Sequence, residues 1–205
     1  MDMSFRPLFL LAALLACIAP VTAAPVLTFQ AIEPSTTSLA PQVFVADPAA
    51  AAQTDDRGMV NIAGYRRVRP EDDPSVALFT NDGIGLLLSL DKWRAGSGTA
   101  EITSSLEESK VALAFRRLVA FGRYSLFART LGDNGPSYAP LDGKGELNSF
   151  TADVTGNANV TIFTPKPLVA GTQIVAIYHS DSMDYGVAPG QFGHTAHQQL
   201  ILRVP

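Results

Sequence analysis

From residue 76 to the C-terminus, short apolar runs are separated by turn signals built largely on Gly, Asn and Pro. Residues 76–80 are apolar, and Asn81-Asp82-Gly83 supplies turn residues that tolerate positive φ. Residues 85–93 follow as the partner of that hairpin, and 99–104 form another run after a Gly-Ser-Gly break. Phe150, Ala152 and Val154 alternate with polar neighbours, Gly156-Asn157 makes a turn, and Val160 and Ile162 resume the alternation. Residues 173–179 and 197–204 complete the series. Period-two alternation broken by turn residues predicts an all-β protein, an antiparallel β-sandwich of Greek-key, Ig-like or jelly-roll type. No fixed repeat points to a solenoid or propeller.

The stretch 105–121 reads two ways. Ser105 and Glu108 have capping-box spacing ahead of good helix formers, with Gly122 as a C-terminal stop. As a strand, Val111, Leu113 and Phe115 share one face, with a second strand at 124–128. The neighbours on both sides are strands, so strands are expected here, with one short helix near 105–121 as the alternative. The run 118–127 (LVAFGRYSLF) resembles the loop-to-strand corner of extracytoplasmic β-sandwiches.

Residues 1–23 read as an export signal. Arg6 closes a charged start, an apolar run from Leu8 to Ile18 is too short to span a bilayer, and Val21-Thr22-Ala23 offers a cleavage site. A second reading takes Leu14-Leu15-Ala16-Cys17 as a lipoprotein box with Cys17 carrying the lipid. Either places the protein outside the cytoplasm, periplasmic, secreted or anchored. Residues 24–75 hold one or more strands (26–32 the first, 43–45 a short apolar run) and a loosely ordered loop region, in one domain with the main body at 76–205. Arg66, Arg67 and Arg69 beside Glu71, Asp72 and Asp73 read as a solvated loop.

Composition excludes several classes. The net charge of −4 across 205 residues lacks the positive field that phosphate backbones require, so no nucleic-acid partner is expected. The single cysteine excludes an internal disulfide framework. No run after residue 23 is long and apolar enough to span a membrane.

Chemistry concentrates in one window. All three histidines, His179, His194 and His197, lie near the C-terminus among Ser180, Asp181, Ser182, Met183 and Asp184. If the flanking strands pair, His179 and His197 approach each other. With Asp181 or Asp184 they could hold zinc, and Met183 would favour copper. The competing reading is a loop whose polar side chains satisfy its own backbone. No Gly-x-Ser-x-Gly elbow is present, and Gly143-Lys144-Gly145 is not a phosphate loop. Asp133, Asn134, Asp142 and Glu146 could offer oxygen ligands to calcium but read as a polar surface loop. Asn159-Val160-Thr161 is a glycosylation sequon, meaningful only in a eukaryotic secreted protein, and the alanine-rich signal has a bacterial look, so it is expected to be accidental. Trp93 and Tyr124 are expected in the core. The expectation is an exported β-sandwich with a non-catalytic binding or surface-structural role toward a protein or small-molecule ligand. The alternative is a copper or zinc protein using the histidine loop for storage, electron transfer or oxidoreductase chemistry.

Overall fold

Alternation of side chains across extended segments is realised nearly throughout. The computed structural model describes residues 24–32, 42–54, 60–132 and 135–205. The export signal, Cys17, Asp133 and Asn134 lie outside the described residues. The strands are β1 (Val26–Ala31), β2 (Phe44–Ala46), β3 (Gln53–Thr54), β4 (Val60–Asn61), β5 (Tyr65–Arg67), β6 (Ala77–Phe79), β7 (Gly85–Ser89) and β8 (Ser97–Ser104). After them come β9 (Ser109–Arg116), β10 (Arg123–Gly132), β11 (Gly135–Pro140), β12 (Ser149–Thr151), β13 (Ala158–Thr164), β14 (Gln173–His179) and β15 (Ala196–Arg203). One short helix, α1 (Leu90–Arg94), separates β7 from β8.

The main sheet runs β11-β10-β14-β15-β1-β8-β9-β13, with β12 also paired to β10. Every pairing between these strands is antiparallel. Strand β1 is where the sheet turns: Val26 to Phe29 pair with β8, while Gln30 and Ala31 pair with β15. The sheet thereby curls over one core. An aromatic chain fills it, from Phe29 against Phe115 (5.1 Å between centroids) through Phe150 and Tyr124 to Tyr178 and Trp93. A smaller sheet, β5-β2-β6-β7, adds Val45, Leu78 and Leu86 to the same core.

The 105–121 stretch is β9, not a helix. The Ser105 half of the capping box forms, but it closes a turn. The Ser105 hydroxyl accepts from the Glu107 and Glu108 amides (3.2 Å each), and Ser105 N–H donates to Glu108 C=O (2.9 Å). This joins β8 to β9, whose Val111, Leu113 and Phe115 face inward. The short helix lies instead at the end of the expected strand 85–93. There Leu90 and Trp93, three residues apart, bury one helical face, and Asp91 and Arg94 complement the dipole at its two ends. Residues 135–140, read as loop, form β11 against β10. The expected corner is present as a tyrosine corner. The Val119 amide donates to the Tyr124 oxygen (3.0 Å), and the Tyr124 hydroxyl donates to Gln199 Oε1 (2.7 Å). Gln199 in turn donates to the Trp93 carbonyl (2.7 Å), tying α1 to the sheet.

Candidate functional site

The histidine window is set by register. Strands β14 and β15 pair so that Tyr178 faces His197 and His179 faces Ala196. Cross-strand partners share a face and successive residues alternate. His179 and His197 therefore lie on opposite faces of one sheet, although their backbones are neighbours. His197 points into the aromatic core against Trp93 and Tyr178 (6.5 and 6.1 Å between centroids). His179 lies with Tyr185 (5.4 Å) on the face that carries Phe127, Ile177 and Ala196.

The three histidines, Asp181 and Asp184 each have a partner within the fold. His197 Nδ1 lies 2.8 Å from the Gln42 carbonyl and Nε2 lies 3.1 Å from Ser180 Oγ. A carbonyl only accepts, so Nδ1 carries the proton and Nε2 accepts from Ser180. The one Ser180 proton is shared with the His194 carbonyl at 3.1 Å. Burial pulls the His197 pKa down to about 4. His179 Nε2 meets Ser125 Oγ at 2.6 Å, and burial lowers its pKa against the opposing influence of Asp181 and Asp184. Its Nδ1 has no partner. His194 pairs through Nδ1 with Asp82 (3.1 Å), which Thr80 also bonds. Asp181 accepts from Tyr185 and from the Met183 amide, and Met183 itself is exposed. Asp184 accepts from Arg123 (2.5 Å), Ser149 (2.9 Å) and the Gly186 amide (3.0 Å). Among the described residues no three His, Cys, Asp or Glu side chains converge so that one metal ion could be held. Asp142 is likewise occupied, accepting from the amides of Lys144, Gly145, Glu146 and Leu147.

Ser125 was not visible as a partner in the sequence, because it lies 54 residues from His179. A serine against an imidazole invites comparison with a nucleophile and base. Both side chains are buried, at 3% and 1% exposure. Among the described residues nothing hydrogen-bonds the far ring nitrogen, the place where a triad has its orienting third group. The pair is a buried polar contact that a substrate carbonyl cannot approach.

A second feature lies at the loop-bearing end of the sheet. A cleft of about 320 Å³ opens between α1 and the 117–120 turn, lined by Leu88, Lys92, Arg117, Leu118, Val119 and Thr155. Among the described residues four non-glycine residues have positive φ. Three of them, Leu87 (56°), Arg117 (53°) and Phe121 (56°), line or directly adjoin this cleft. Left-handed backbone costs a side chain about 1–2 kcal/mol per residue. Here that strain displays two large apolar groups, with Leu87 98% and Phe121 68% exposed. Val154, exposed beside Thr155, adds a third. Two loops are locked together beneath it. Leu118 N–H donates to Gly156 C=O (2.9 Å), Phe121 N–H to Asp153 C=O (3.2 Å), and Ala152 N–H to Gly122 C=O (3.0 Å). Among the described residues the lining carries Lys92 and Arg117 and no carboxylate. No family model, curated protein or solved structure matches the chain.

Proposed function

We propose that the chain is an exported, non-catalytic binding module that takes an acidic, partly apolar segment of a partner protein at the cleft between α1 and the 117–120 turn. The observation that carries the reading is the display of Leu87 and Phe121 on strained backbone around a cleft whose charges are both positive. Strain kept at exposed positions gives the folded state nothing, so it marks a surface shaped for a second molecule. A flat bilayer leaves a concave cleft empty, whereas a protruding side chain fills it. The cations then meet a carboxylate and the displayed apolar groups flank it. The sequestered Ser125–His179 pair supports a role without catalysis. Export rests on the signal at residues 1–23. Mass spectrometry of the mature N-terminus is expected to find Ala24 first, while a lipid adduct on Cys17 would make the protein membrane-anchored.

Panning a phage-displayed random peptide library against the mature domain tests the binding surface. Enriched peptides are expected to carry Asp or Glu beside Leu, Phe or Trp. They should lose binding to Leu87→Ser, Phe121→Ser and Arg117→Gln variants that retain the parent melting temperature. No enrichment, or peptides that bind these variants undiminished, overturns the reading.

A further inference from the structure

The two ends of the main sheet are built differently. At one end β11 carries Pro136 and Pro140, which cannot donate to a further strand. At the other end lies β13, whose seven residues (ANVTIFT) include no proline, glycine or charge. All seven pair with β9 in one unbroken register. Beyond β9, no backbone group of β13 has a hydrogen-bond partner among the described residues. The described residues that flank 33–41, 55–59 and 133–134 are bonded elsewhere. Ile32 and Gln42 are held against β15, four places from β13 in the sheet, Thr54 pairs with Val60, and Gly132 pairs with Gly135. An open ladder templates pairing with another chain, so native edges are blunted by prolines, charges or bulges. β13 has none of these.

The outer face beside this edge has a complementary shape. Phe163 is 54% exposed on β13. Next to it runs a shallow groove of about 310 Å³, floored by Ala112 and Ala114 of β9. Thr99 and Glu101 of β8 form one wall, and Asn159 and Thr161 of β13 form the other. Across the three strands Asn159 faces Ala114, which faces Thr99, and Thr161 faces Ala112, which faces Glu101. The edge and groove share no lining residue with the cleft beside α1.

We infer that β13 joins two copies of this chain, antiparallel about a two-fold axis at Thr161, so that the main sheet continues from one copy into the other. Self-complementarity selects a second copy as the occupant. In that register Thr161 meets its own counterpart, Val160 meets Ile162, and Phe163 meets Asn159. Threonine and β-branched pairs of this kind stabilise a ladder, and each Phe163 lies over the alanine floor of the other copy. Charge points the same way. A neutral strand offers nothing to an acidic or basic partner and meets itself without repulsion. Glu101 lies two strands in from the edge. Its two copies would stand about 24 Å apart, five strand spacings of about 4.8 Å, well beyond the screening length of about 8 Å.

Sedimentation velocity of the mature protein from about 1 μM to about 1 mM, the range of weak protein contacts, tests the pairing. A reversible monomer–dimer equilibrium is expected. Thr161→Lys sets two ammonium groups against each other, and Phe163→Ser removes the aromatic. Each should weaken dimerisation about tenfold or more. Mixing Thr161→Lys with Thr161→Glu should restore it, because the axis then sets opposite charges together. Leu131→Ser, exposed near the other edge, should leave it unchanged. Should the β13 variants fold poorly, amide exchange of the parent decides, with slowing at high concentration confined to residues 158–164 supporting the edge. A monomer throughout the range, undiminished association of the variants, no rescue by the Lys–Glu mixture, open-ended aggregates or slowing elsewhere overturns the inference.

Discussion

His197 is completely buried among Trp93, Tyr178, the Gln42 carbonyl and Ser180, and protonating it places a charge in that interior. Its pKa falls from 6.5 to about 4 on folding. At about 1.4 kcal/mol for each tenfold change in proton affinity, that is worth about 3 kcal/mol. The sign follows from proton counting. Between those values the unfolded chain binds a proton that the folded chain does not. Stability is therefore complete above pH 6.5 and declines as the pH falls toward 4, by at most about 1.4 kcal/mol per pH unit from this group. His179, also lowered by burial, adds to the loss in the same direction. Carboxylates held below their usual range, among them Asp72, Asp142 and Asp184, lose their contribution only below about pH 4, so the two windows are separable. Urea denaturation followed by the fluorescence of Trp93, the only tryptophan, measures the decline from pH 7.5 to 4.5. The variant His197→Asn keeps a donor for the Gln42 carbonyl and cannot titrate. It should be less stable than the parent at pH 7.5 yet show a flatter pH dependence, retaining only the His179 share. An equally steep decline in the variant, or no decline in the parent, refutes the assignment.

The other predictions concern particular atoms. Tyr124→Phe removes the hydroxyl that joins Val119 to Gln199 and leaves both without that partner. Thermal unfolding should report a loss of about 1–3 kcal/mol. Gly156 sits at φ +75°, and an added Cβ would lie 2.2 Å from the Leu118 carbonyl oxygen. Gly156→Ala should therefore cost more than the about 1 kcal/mol of left-handed strain alone and lower the melting temperature sharply. Leu87→Gly relieves strain at an exposed site. It should leave stability unchanged or raise it by up to about 1 kcal/mol while weakening capture of acidic peptides, and a large destabilisation would show that Leu87 serves folding. Dialysis against a chelator should leave the melting temperature unchanged, since the histidine side chains do not share a centre. A fall restored by zinc or copper would contradict that.

Strand positions followed from alternation, because one face of each strand meets a core and the other meets water or a second layer. The inward-facing positions of β9 were legible in this way, while β14 and β15, buried along nearly their whole length, were legible from the turn residues before them. Trp93 and Tyr124 were legible as core from their apolar surroundings. The helix at 90–94 was not, because five residues carry too little periodicity to separate a helical turn from a strand end. β11 was hidden by its two prolines and a glycine, which are compatible with the sheet only because it pairs along one edge.

Local sequence thus determined the all-β class and many of the turns, since each depends on residues near one another in the chain. Tertiary pairing decided the sites. His179 and His197 come together in the sequence window, but the pairing of Tyr178 with His197 puts their side chains on opposite faces, and a one-residue slip of β15 along β14 would put both on one face. The extra residue of β15 at the Ala176/Ile177 irregularity accompanies a Gln199 side chain that reaches Tyr124 and Trp93 in the core. Arg66 read as part of a solvated charge run, yet Asp47, 19 residues away, and Asp72 hold it in place. Those relations join residues far apart in the chain, and only the folded sheet brings them within hydrogen-bonding distance.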